Sequence, residues 1–218
     1  MSATDDEDAF HLTAEQVDAG MASVRQSPRD TGSLDLIVIR PAVDARLVVP
    51  QVEVDADHGL AGDSWEARGS RMTPDGSAHP GDQVTVMNTR FARLIAATED
   101  RIPLAGDQLY VDLDLSTSNL PTGTRLEFSE VVLEVTDLPH TGCEKFQARF
   151  GMPALRQTNT PEGRELRLRG INTTVVTGGM LHQGEVAQVS RPSRGRHRPE
   201  TSDAHSDHGQ ARQGSPGG

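Results

Sequence analysis

Between Ser33 and Ser190 the chain is a succession of short apolar or alternating segments, each soon closed off by Gly, Pro, Asn, Asp or Ser. "LDLIVIR" (34–40), "RLVVPQVEVD" (46–55, interrupted by Pro50), "QVTVMN" (83–88) and "DQLYVDLDL" (107–115) read as strands. In the last of these Leu109, Val111, Leu113 and Leu115 recur at period two, so they share one face. "TRLEFSEVVLEVTDL" (124–138) reads as two short strands around a turn at Ser129–Glu130. "INTTVVTGGMLHQGEVAQVS" (171–190) reads as two more, separated by Gly178–Gly179 and Gly184. Many short strands with few helices restrict the chain to a mostly antiparallel sheet closed into a barrel or a sandwich.

Three divisions follow. Residues 1–32 form an acidic extension with one helix, "TAEQVDAGMASVRQS", where Thr13 and Gln16 fit a capping box and Val17, Met21 and Val24 form a stripe. Residues 33–190 carry the strands, together with a short helix in "TRFARLIAATED" and a long loop over 66–83. Residues 191–218 lose apolar content and are expected to be disordered. The formal net charge of −11 disfavours nucleic acid and anionic membranes as partners. No leader peptide or apolar run near the roughly 20 residues of a membrane span is present, so a cytoplasmic protein is expected.

The single cysteine, Cys143, excludes an intramolecular disulfide and a finger-type zinc site. Thr141-Gly142-Cys143-Glu144 fits the S/T-x-x-E capping box, which puts Cys143 at the second position of a short helix running through Phe150 and stopping at Gly151. Phe146 and Phe150 would pin that helix to the core. Lys145 and Arg149 would share its more exposed face. A thiol there sees unpaired N–H groups and the positive end of the dipole, which favours the nucleophilic, metal-binding thiolate. A small buried cysteine that fills a gap is the competing reading. His140 and Cys143 are a candidate metal pair.

Other residues are candidates by type and spacing. Asp63, in a Gly-Asp turn, would orient a ligand or cap the turn. His58 just before it is a candidate proton donor. Lys145, Arg149, Arg167 and Arg169 would form an anion site if the fold brings them together, with Arg167 and Arg169 on one face of a strand in "RELRLRG".

Several segments, in order, resemble the MOSC family, named for the C-terminal domain of molybdenum cofactor sulfurase. They are "DHGLAGDSW" (57–65), "QVTVMNTR" (83–90), the stretch from "IPLAGDQLYVDL" to "HTGCEKF" and "GRELRLRGINTTVVTGGMLHQGEVAQV". The resemblance covers about residues 33 to 190. Gly106-Asp107-Gln108-Leu109 stands where relatives carry Gly-Glu-Asn-Leu, and Ser64 where many carry Arg. It implies a mainly β, MOSC-type barrel with a few short helices. It implies that Cys143 matches the signature cysteine that ligates molybdenum of a pterin cofactor (molybdopterin) or carries sulfur. Thr141, Gly142, Lys145, Arg149, Asp63, Gln108, Arg167 and Arg169 are the expected cofactor contacts. The implied chemistry is reduction of an N-hydroxylated small molecule, with electrons from a separate protein, since one cysteine cannot hold an iron–sulfur cluster. A persulfide carrier served by a sulfur-donor protein, and a binding module without catalysis, are the alternatives.

Overall fold

The computed structural model describes residues 11–70, 72–142 and 144–192. The calls on the tail from 193 onward and on Cys143 itself therefore lie outside the described residues. In chain order the elements are α1 (Ala14–Val24), β1 (Thr31–Ile39), β2 (Leu47–Val49), β3 (Gln51–Asp55), β4 (Gly59–Leu60), α2 (Trp65–Arg68), β5 (Val84–Asn88) and α3 (Thr89–Ala96). They continue with β6 (Leu109–Asp112), β7 (Arg125–Glu127), β8 (Val132–Val135), α4 (Glu144–Asn159), α5 (Pro161–Glu165), β9 (Ile171–Thr177), β10 (Gly179–His182) and β11 (Val186–Ser190). Short 3-10 turns cover Pro80–Asp82 and Glu99–Ala105.

Seven strands close a barrel in the order β1-β11-β7-β8-β9-β5-β6 and back to β1; β2 hangs on the side of β1. All its pairs are antiparallel except β5–β6. That parallel pair follows from connectivity, because α3 and the turn after it supply the crossover a parallel pair needs. A second, three-stranded sheet runs β10-β3-β4. The fold is thus mainly β, as the alternating segments predict. No helix among the described residues is long and apolar enough to cross a membrane.

The barrel interior is aliphatic, with Leu34, Ile37, Val86, Leu109, Val111, Leu126 and Leu133 at its centre. A second core lies between the outside of the barrel and the helices. There Met21 and Val24 of α1, Phe91 and Ile95 of α3, and Phe146 and Phe150 of α4 pack on Val38, Met87 and Tyr110. The buried Tyr110 hydroxyl donates to the Ile102 carbonyl, which spares the ~1–3 kcal/mol of an unpaired buried donor. The capping box expected at α1 is formed, Thr13 accepting from Gln16 N and Gln16 accepting from Thr13 N.

Four local expectations need correction. The 46–55 segment is two strands in different sheets, because Pro50, lacking an N–H, marks the change of sheet. The 171–190 segment is three strands rather than two, since Gly178 and Gly184 each interrupt it. Gly151 does end a helix, its φ of 81° leaving the helical region, but a second helical run over 152–159 follows directly after it. "RELRLRG" is no strand: Thr160 caps α5 by accepting from Gly163 N, Pro161 presets the first turn, and turns follow to Gly170.

Candidate functional site

The end of β1 organises the first half of the site. Arg40 follows the strand, and the Asp63 carboxylate accepts from its backbone N (2.8 Å), its Nε (3.0 Å) and its Nη2 (3.0 Å). Asp63 also accepts from Trp65 N at 2.9 Å, and the Arg40 Nη1 donates to the Gly106 carbonyl at 3.1 Å. Both side chains are buried, at 8% and 1% exposure. The Asp63 oxygens are thus occupied within the protein. The residue caps its turn and aims Arg40; it does not itself present a carboxylate to a ligand.

A second buried network lies beside it. Asp107, fully buried, accepts from Arg169 Nη1 at 2.6 Å and meets His140 Nε2 at 2.8 Å. Arg169 Nη2 donates to the Ala105 carbonyl at 3.0 Å, and the guanidinium stands 5.2 Å from the Phe146 ring centroid. Burial alone would raise the Asp107 pKa, but the adjacent Arg169 and His140 hold it below the usual carboxylate range. Burial, with Arg169 in support, pushes the His140 imidazole below its ordinary value, against the pull of Asp107. Both shifts run downward, and Arg169 contributes to each. Gly170 makes the approach possible: its φ is 112°, and a Cβ there would lie 2.6 Å from the Val86 carbonyl and 3.1 Å from the His140 ring.

Between these networks opens a cavity of about 460 Å³, lined by Arg40, Arg46, Arg68, Arg149, Arg169 and Lys145. Burial and the neighbouring guanidiniums of Arg149 and Arg40 push the Arg46 pKa down, and burial with Arg40 does the same at Arg68. The Nε atoms of Arg46 and Arg169 are buried without a hydrogen-bond partner among the described residues. Concentrated, mutually repelling guanidiniums with unused donors are suited to a multiply charged anion. Asp44 is the one acid among the described residues of the wall. It accepts from Lys145 Nζ (2.9 Å) and Arg149 Nη2 (2.7 Å), while Arg149 Nη1 donates to the Leu104 carbonyl.

A second cavity of about 340 Å³ lies on the other side of Arg169, which lines both. Thr141, Gly142, His140 and Arg167 belong to it. Gly142 lines the second cavity and Lys145 the first.

Of the residues singled out in the sequence, Lys145, Arg149 and Arg169 are thus brought together, and Asp63 supports them through Arg40. Thr141, Gly142 and Arg167 face the second cavity, Arg167 with its Nη1 on the Leu120 carbonyl and a left-handed φ of 47°. Gln108 is a core residue: its Oε1 accepts from Thr85 N and Oγ1, and its Nε2 donates to the Gln83 carbonyl. His58 is exposed and paired with Glu66 at 3.0 Å, a contact that raises its pKa. Sequence reading missed Arg40, Arg46, Arg68 and Asp107. The one local signal was a charged residue, Arg40, closing an apolar strand ahead of a proline.

No family model matches the chain, and no curated protein matches its sequence. Solved structures do match by shape. The YuaD protein from Bacillus subtilis aligns over 73% of this chain and 95% of its own, at 16% identity and a TM-score of 0.53. A hypothetical protein aligns over 75% of this chain and 69% of its own, at 18% identity and a TM-score of 0.50. YiiM from Escherichia coli covers 74% of this chain and 71% of its own, at 18% identity and a TM-score of 0.47, too distant to add to the argument. At these identities the likeness is one of fold: the closed, mainly β barrel with its few helices is an architecture this chain shares with solved proteins.

Proposed function

We propose that this chain is a MOSC-domain protein of the cytoplasm that binds a molybdenum–pterin cofactor, with Cys143 as the ligand to the metal. The observation that carries the reading is the cavity of five arginines and one lysine, with Lys145 and Phe146 at the start of α4 on its wall, in a chain of net charge −11. The residues fit such a group. Among the described residues no three His, Cys, Asp or Glu side chains are placed to hold a bare ion. A metal bound here would arrive chelated by its own organic ligand, with the protein adding one thiolate and a grip on the phosphate. Arg40, Arg46, Lys145 and Arg149 would hold that phosphate, with Asp44 yielding the last two.

The bound group would supply the two-electron chemistry for reducing an N-hydroxylated small molecule. Two electrons from a separate electron-transfer protein and two protons convert the N–OH group to N–H and release water. The chain's own residues orient the cofactor, exclude water from the buried networks and hold Arg169 and His140 in place through Asp107.

The test is the molybdenum and phosphorus content of the full-length protein from cofactor-competent cells, beside Cys143→Ser and Arg46→Gln. Near-stoichiometric metal in the parent, lost in Cys143→Ser and reduced in Arg46→Gln, supports the reading. A parent free of molybdenum that gains one sulfur on Cys143 from a cysteine desulfurase overturns it in favour of a persulfide carrier. Neither metal nor sulfur would leave a binding module.

A further inference from the structure

The second cavity has features the cofactor reading does not use. At about 340 Å³ it is at the lower end of the ~300–1,000 Å³ of small-molecule sites. One wall is apolar, made by Leu138, Pro139 and Ile171. Two guanidiniums, Arg164 and Arg167, stand on the lining with one carboxylate, Asp137; neither arginine has a carboxylate in ion-pair range among the described residues, although Glu165 acts on Arg167 from further away. His140 is also on the lining, 17% exposed, with Nε2 committed to Asp107. Nδ1 is the ring nitrogen left for a ligand. The Asn172 amide spans only long contacts, 3.3 and 3.4 Å, to the Leu138 and Pro139 carbonyls.

We infer that this cavity is the substrate site, and that it selects a small organic compound with an anionic head group. The head group would lie on Arg164 and Arg167, its body against Leu138, Pro139 and Ile171, and its polar end toward His140. The placement of the reacting end rests on the function proposed above, with Arg169 the residue that both cavities share. The selection of an anion does not rest on it. Arg164 and Arg167 are separated from the six-cation cavity by Arg169, so a charged substrate need not compete with the cofactor phosphate.

Calorimetric titration of the full-length protein, without turnover, tests this with two probes: benzamidoxime and 4-carboxybenzamidoxime. The carboxylate probe is expected to bind about tenfold more tightly, as a charge-assisted contact to arginine implies. Arg164→Gln and Arg167→Gln should each remove most of that preference, and Arg164→Lys should restore part of it. Arg164 is exposed, so its variants test the site without disturbing the fold. Equal binding of the two probes would overturn the proposal. So would a preference that survives both Gln variants and disappears in Arg46→Gln, since the acid would then be using the basic cavity. Because probe binding needs no metal, protein that comes from cofactor-competent cells without molybdenum and still prefers the charged probe would overturn the cofactor reading and keep this one.

Discussion

The Arg40–Asp63 pair makes a prediction that can be worked through in numbers. Asp63→Asn keeps the shape of the side chain and removes its charge. Arg40, 8% exposed, is left with the Gly106 carbonyl and a neutral amide half of which donates toward it. Breaking one side of a buried ion pair costs about 3–5 kcal/mol, because the remaining charge is buried without compensation. Taking the lower value, and ~2–4 °C per kcal/mol for a domain of this size, the melting temperature should fall by about 6–12 °C. Circular dichroism at pH 7.5 measures it. Asp63→Asn combined with Arg40→Leu should lose less than the sum of the two single changes, since the double variant buries no lone charge. Inorganic pyrophosphate, as a stand-in anion, should bind more weakly to Asp63→Asn although Asp63 does not face the cavity. A variant that melts within about 2 °C of the parent would refute the reasoning, since a pair worth so little is not holding Arg40 as described.

Two further outcomes are expected. Arg46→Gln should weaken pyrophosphate binding by about tenfold and leave the melting temperature equal to or above that of the parent, because burial, Arg149 and Arg40 all disfavour its charge; paired calorimetry and melting curves check both. For pH, the folded-state pKa of His140 is lowered. Below about 6.5 the unfolded chain takes up a proton that the folded chain does not. Stability from this group is therefore present above about 6.5 and declines as pH falls, until the folded pKa is reached. The lowered pKa of Asp107 acts in the same direction at more acidic pH. Melting curves from pH 7.5 to 5.5 should show a shallower fall in His140→Gln than in the parent; identical slopes would contradict the burial argument.

What the sequence disclosed was local. The shared face of Leu109, Val111, Leu113 and Leu115, the box at Thr13 and Gln16, and the stop at Gly151 each depend on residues a few positions apart, and each is present. The i, i+4 spacing of Lys145 and Arg149 placed both on one helix face, and Asp44 bridges them. The basic cavity was not legible, because Arg40 and Arg46 lie at the two ends of the β1–β2 loop and Arg68 ends α2, and they meet Arg149 and Arg169 only when the chain folds. "RELRLRG" was misread for a different reason. Alternation over five residues fits a strand, but the cap at Thr160 sets a helix upstream, and the turns that follow place Arg167 and Arg169 differently. Gln108 sat in a motif that suggested ligand contact, whereas the parallel β5–β6 junction uses it to satisfy Thr85 and Gln83.

The seam of the barrel has a consequence for how the molecule is made. Among the described residues β1 is the first strand to leave the ribosome and β11 the last, yet they are direct partners, Thr31 opposite Gln188 and Ser33 opposite Val186. β11 also holds β7, through Gln188 opposite Glu127 and Ser190 opposite Arg125. Until Ser190 has emerged, the start of β1 and the outer side of β7 are open edges. During synthesis the nascent barrel therefore waits as an unclosed sheet, the state most prone to pairing with another chain. A translation arrest or a premature stop ahead of Val186 would leave both edges bare at once and give a chain that sticks to its own copies.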